Sequence, residues 1–97
     1  PSVRFARTKM YQIWSPHTDD VYIGYTAHPN LDVYFKGHLN DRRRTSRHII
    51  DWGDASIKLI EVWPCANKAE AEAREAYWID WHPTAVNVLK PKVHRMY

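Results

Sequence analysis

Two short runs near the start of the chain, Lys9–Trp14 (KMYQIW) and Val21–Thr26 (VYIGYT), are rich in aromatic and β-branched residues. They flank Ser15–Asp20 (SPHTDD), a cluster of turn-forming residues, and together predict a β-hairpin. A four-residue loop over 15–18 pairs Trp14 with Asp19. The same register sets Tyr11 opposite Tyr22. Directly opposed residues share a face of a sheet, so the two tyrosines are expected side by side on a partly open face. Further along, Asn30–Asn40 reads as a short helix entered after Pro29, with Asn30 as its N-cap. Thr45–Asp51 reads as a second helix ending near Gly53, and Ile57–Trp63 (IKLIEVW) as a strand stopped by Pro64. Asn67-Lys-Ala-Glu70 resembles a capping box with Asn in place of Ser or Thr. The Ala- and Glu-rich segment from Lys68 to about Trp81 has the helix propensity to follow it. Residues 1–8 read as an irregular arm.

The order ββααβα implies an α+β domain, a small three-stranded antiparallel sheet with helices packed against it. The 97 residues contain no internal repeat or interior linker and make one domain over 1–97, with a core at about 9–88. Pro1 follows no Met, which fits either Met removal or excision from a longer protein. A chain this short buries only about 60–65% of its unfolded surface, so its core is modest. Five Trp, six Tyr and two Phe enlarge it.

Composition removes several classes. Apolar residues are 44% of the chain and charged residues 26%, a globular rather than a disordered balance. Cys65 is the single cysteine, which excludes an intramolecular disulfide and a Cys-based zinc site and favours a reducing, intracellular (cytoplasmic or nuclear) setting. No stretch approaches the ~18 apolar residues of a membrane span, and no signal-peptide core is present. Net charge is +3. Residues 1–48 carry eight Lys/Arg against four Asp, whereas residues 49–97 carry six against seven acids. The excess sits mainly in Lys36, Arg42, Arg43, Arg44 and Arg47. That segment reads either as a phosphate-binding face for DNA or as a solvated loop between two helices.

The hairpin carries the first chemical signal. Lys9-Met-Tyr11, ten residues, then Tyr22-Ile-Gly24 resembles the paired tripeptides of the GIY-YIG nuclease family, the second in full and the first in its tyrosine. His38 lies in the following helix, where many members carry a histidine. Glu75, in Arg74-Glu-Ala-Tyr-Trp-Ile79, is similar to the family's metal-binding glutamate, and Asn87, in Ala85-Val-Asn87, to the asparagine that closes its core. The resemblance runs from about residue 9 to 88. It implies hydrolysis of a DNA phosphodiester with one divalent ion, Mg2+ with Mn2+ as a substitute. Tyr11 is then the base or water-positioning group, with Tyr22 beside it, and Glu75 the metal ligand. His38 and Asn87 join them in the catalytic set. A specificity domain or partner protein is not visible in the chain.

One position departs from the pattern. Members carry an arginine one turn before the histidine, and here Tyr34 stands in that place. Lys36, or an arginine from Arg42-Arg-Arg44, is the candidate substitute cation. Without one, the alternative is a catalytically weak or silent DNA-binding module on the same fold. An RNA-directed domain is a third reading, for which the chain lacks the usual RNP aromatics or GXXG loop. Taken without the resemblance, Tyr11 and Tyr22 are simply two strand aromatics packing across a hairpin.

Overall fold

The hairpin forms, and its first strand becomes the middle of the sheet. In the computed structural model, which describes residues 3–41 and 45–87, β1 (Lys9–Ser15) pairs antiparallel with both β2 (Thr18–Thr26) and β3 (Ser56–Val62). The strand order is β2-β1-β3. A central strand is covered on both faces, which is why Met10, Tyr11 and Ile13 are all buried. The α-helices among the described residues are α1 (Leu31–Asn40), α2 (Arg47–Ile50) and α3 (Lys68–Trp81). The fold is the expected three-stranded α+β domain.

Helix starts follow local chemistry. Asn30 is extended, and its side chain accepts from Val33 N at 3.1 Å. Asn67 does the same for Glu70 N at 3.0 Å. The Glu70 carboxylate reaches back to Ala66 N at 2.8 Å, one residue earlier than in the usual reciprocal box. Each such cap is worth about 1 kcal/mol. The first residues are more ordered than expected. Val3–Arg7 forms a 3-10 turn, pinned to the chain after β3 by Trp63 N→Thr8 O (2.8 Å) and Cys65 N→Phe5 O (3.0 Å).

The hairpin register differs from the expected one. Ser15 pairs with Thr18 inside the expected four-residue loop, the register then shifts where Trp14 was expected opposite Asp19, and Ile13 lies opposite Tyr22 and Tyr11 opposite Gly24. The cause is local. The Thr18 hydroxyl accepts from Asp20 N at 3.1 Å, which takes that N–H out of the ladder. β2 thereby gains two residues on β1. A slip of two preserves side-chain parity, since strand faces repeat every two residues. Tyr22 therefore still projects beside Tyr11, one step along the strand.

Alternation divides β2 between two layers. Tyr22 joins Tyr11 and Ile13 beneath α1 and α2, where Ile49 of α2 packs into the same cluster, while Val21 and Ile23 pack against Trp78 and Ile79 of α3 on the opposite face. A bulge between Met10 and Tyr11 in the β1–β3 pairing brings Glu61 opposite Met10, on the α3 side. The outer edge of β2 is closed by residues 84–87. Val21 N donates to Thr84 O at 3.1 Å, Val21 and Ala85 form a parallel bridge, and the Asn87 amide completes the ladder. Its Oδ1 accepts from Ile23 N at 3.0 Å and its Nδ2 donates to Ile23 O at 2.6 Å. One side chain thus satisfies both backbone groups of a β2 residue, as a neighbouring strand would.

Asn87→Ala should consequently destabilise the fold by about 1–3 kcal/mol, the penalty for leaving buried backbone groups unpaired. Asn87→Asp should cost at least as much, because a carboxylate oxygen would then face the Ile23 carbonyl. Chemical-denaturation midpoints measure both. A neutral Asn87→Asp would show that the amide does not hold this edge.

Candidate active site

The first tyrosine of the hairpin is the hub of a buried polar chain. Tyr11, 1% exposed, places its hydroxyl 3.1 Å from the Tyr34 hydroxyl and 3.1 Å from His38 Nε2. On its other nitrogen, His38 Nδ1 meets the Ser46 hydroxyl at 2.6 Å. Tyr34 and His38 share a face of α1 because they are four residues apart, and their rings lie 5.0 Å from each other. Tyr22 flanks the group, with ring centroids 6.3 Å from Tyr11 and 5.9 Å from His38. The expectation of a partly open face holds for Tyr22, which is half-buried. It fails for Tyr11, because α1 lays Tyr34 and His38 over its hydroxyl.

Gly24 makes this arrangement possible. Being directly opposite Tyr11, it lies under the tyrosine ring. A Cβ built there would stand 2.5 Å from Tyr11 Cζ and against the hydroxyl. The glycine of the second tripeptide is thus a seat for the tyrosine of the first.

The remaining predicted residues separate. Lys36 is exposed. It sits two positions from both Tyr34 and His38, about 200° around the helix, and so faces away from them. Arg47 is drawn into the scaffold. Its guanidinium donates to Leu39 O and to Asp51 Oδ1 at 3.4 Å, tying the end of α1 to α2. Arg42, Arg43 and Arg44 lie outside the described residues. Asn87 holds the β2 edge as above.

Glu75 lies on α3, whose Trp78 and Ile79 anchor the helix to the opposite side of the sheet. It is half-buried, and among the described residues its carboxylate makes no hydrogen bond or ion pair. Burial, and then the negative charge of Glu72 one turn earlier, push its pKa from 4.5 up to about 7. The neighbouring Arg74 offers no relief, since it is committed elsewhere. It grips Glu61 through Nε (2.5 Å) and a terminal nitrogen (3.0 Å), and Trp78 Nε1 donates to the same carboxylate at 2.7 Å. Those contacts, Arg74 foremost, lower the Glu61 pKa. Two carboxylates on this side of the sheet therefore have opposite environments, one compensated and one not. No group of three or more His, Cys, Asp or Glu side chains that could hold a metal occurs among the described residues.

The sequence model of the GIY-YIG catalytic domain matches residues 9–87. This is a catalytic domain of nuclease type, and the chain belongs to the GIY-YIG family. No curated protein and no solved structure matches it significantly. No helix among the described residues is long and apolar enough to cross a membrane. Two residues of the cluster carried no assignment from sequence. Ser46 was legible only as part of a helix start, and Gly24 only as a member of its tripeptide.

Gly24→Ala should destabilise the protein by about 1–3 kcal/mol through overpacking against the Tyr11 ring. The effect should shrink when Tyr11 is first replaced by Leu, because the two sites are coupled. Additive losses in a double-mutant cycle would remove the seat. For Glu75 the linkage runs as for any acid whose folded pKa is raised. Its contribution to stability is full below 4.5 and is lost as pH rises through about 7. Without divalent ions, the wild type should lose about 1–2 kcal/mol more than Glu75→Gln between about pH 4 and pH 8, the full shift being discounted for partial exposure. Parallel pH profiles would place this carboxylate in ordinary solvent.

Proposed function

We propose that the protein is a divalent-metal-dependent endonuclease hydrolysing DNA phosphodiester bonds, with Mg2+ as its ion and Mn2+ as a substitute. The observation that carries the metal dependence is Glu75. A half-buried carboxylate without a counter-charge is unfavourable by itself and becomes favourable beside a cation. Its hard oxygens suit Mg2+, which accepts one or two protein carboxylates and keeps water or substrate phosphate oxygens in its other positions. A sparse site of that kind agrees with the lack of a three-ligand cluster among the described residues. When bound, the ion would polarise a phosphoryl oxygen and stabilise the leaving oxygen.

The residues of the chain itself do the rest. Tyr11, with a reference pKa of about 10, acts as a base only if its phenolate is stabilised by neighbours, and His38 and Tyr34 are the groups at its oxygen. Tyr22 and His38 border the same cluster and are suited to orienting the attacking water. Asn87 supports the site by holding β2 in register. Glu75 approaches from the α3 side, so the reading requires substrate and ion to join it to the tyrosine cluster. The positive excess of the first half of the chain supports DNA as the polyanion, through Arg42, Arg43 and Arg44 with Lys36 at the helix surface.

Tyr34 favours the second reading, a silent DNA-binding module. Its hydroxyl stands 3.1 Å from the Tyr11 hydroxyl, where a base would need its water. It also offers no positive charge to the transferring phosphate.

Supercoiled plasmid incubated with and without Mg2+ or Mn2+ tests both. Glu75→Ala should abolish nicking while leaving DNA affinity nearly unchanged, and Tyr11→Phe should lower single-turnover rates far more than stability. Tyr34→Arg should raise cleavage about ten-fold or more, one decade being about 1.4 kcal/mol at the transition state. Normal cleavage by Glu75→Ala removes the metal assignment. A wild type inert under every ion, beside a Tyr34→Arg variant that cuts, establishes the silent module.

A further inference from the structure

Ser46 begins α2 in helical conformation (φ −59°, ψ −18°), yet its hydroxyl caps none of the N–H groups of that helix. A serine at a helix start ordinarily accepts from the backbone two or three residues on. Here the hydroxyl turns instead to His38 Nδ1 at 2.6 Å, with both residues 0% exposed. Nδ1 is its one hydrogen-bond partner among the described residues. A buried hydroxyl with one partner donates to it, because a hydroxyl proton aimed at nothing is costly. Nδ1 therefore accepts, and a neutral ring that accepts at Nδ1 carries its proton at Nε2. Nε2 lies 3.1 Å from the Tyr11 oxygen, so this N–H donates to the phenol.

We infer that Ser46 is a positioning residue for Tyr11, holding His38 in the Nε2–H tautomer so that the ring is a standing donor to the phenol oxygen. In the opposite tautomer the same nitrogen would accept the phenol proton and leave the oxygen without this donor. A donor at that oxygen favours the ionised phenol, the form a base requires. The link to cleavage rests on Tyr11 acting as the base, whereas the tautomer itself depends on no assumption about activity.

Two-bond 1H–15N correlation on protein labelled at the histidine ring nitrogens reads the tautomer directly, without DNA or metal. Wild-type His38 should show a protonated Nε2 and a bare Nδ1. Ser46→Ala should lose that preference and Ser46→Thr, which keeps the hydroxyl, should retain it. Single-turnover cleavage should fall about ten-fold in Ser46→Ala and stay within about two-fold of wild type in Ser46→Thr, a modest share of general-base assistance. A wild-type ring protonated at Nδ1, or an unchanged ring in Ser46→Ala, overturns the inference. If Ser46→Ala does not fold, the wild-type ring and Ser46→Thr still decide it. A changed tautomer with unchanged cleavage breaks the link to Tyr11. A wild type that never cuts defeats the nuclease reading and leaves the tautomer result intact.

Discussion

The candidate site depends on one steric fit, the ring of Tyr11 lying over Gly24. A central strand residue normally sends its side chain into a packed layer. Here the neighbouring strand lacks a side chain at the opposing position, and the ring occupies the space a Cβ would take. That fit directs the Tyr11 hydroxyl toward α1, where Tyr34 and His38 are presented one helical turn apart. It also fixes what β2 must do. The hairpin must slip by two residues from its turn register to bring Gly24, rather than Tyr22, opposite Tyr11. The bond from Asp20 N to the Thr18 hydroxyl and the docking of residues 84–87 on the β2 edge both support that slip.

The two sides of the sheet divide the chemistry between them. Beneath α1 and α2 lies a connected chain of polar groups, each with a partner, which can be buried at small net cost. On the α3 side the carboxylates are handled in two ways. Glu61 receives a bidentate arginine and an indole N–H, and Arg74 is in turn stacked 4.1 Å from the Trp63 ring and 4.2 Å from the Tyr77 ring. Glu75 receives nothing comparable, although it adjoins the same arginine in sequence. Aromatic packing and the Glu61 fork commit Arg74 away from it, so the seating of α3 leaves Glu75 without a counter-charge among the described residues.

Much of the fold was legible in the residues because it is written in local chemistry. The caps at Asn30 and Asn67, the stop at Pro64 and the aromatic strands act over a few residues, and the elements begin and end close to where those signals stand. The hairpin register was not legible, since a threonine hydroxyl diverting one N–H near the turn moves every later pair. The burial of Tyr11 depends on α1, which lies more than twenty residues away in sequence. Arg47 illustrates the same limit. Its charge suggested a phosphate contact, but the carbonyl end of α1 and Asp51 engage it instead. The family motifs were readable as a pattern of types and spacing. That pattern alone does not show Asn87 bonding both backbone groups of Ile23, or Ser46 turning from its helix to His38.

The most direct test of the proposal that Glu75, which has no counter-charge among the described residues, serves a cation is a carboxyl 13C titration of the intact protein with and without Mg2+. Near pH 7 without metal, the Glu75 carboxyl should be about half protonated, in keeping with a pKa of about 7. Adding Mg2+ should drive that proton off and move the resonance to the ionised position, because a ligand that binds only the charged form favours deprotonation. A Glu75 fully ionised at neutral pH without metal, and indifferent to Mg2+, would contradict it.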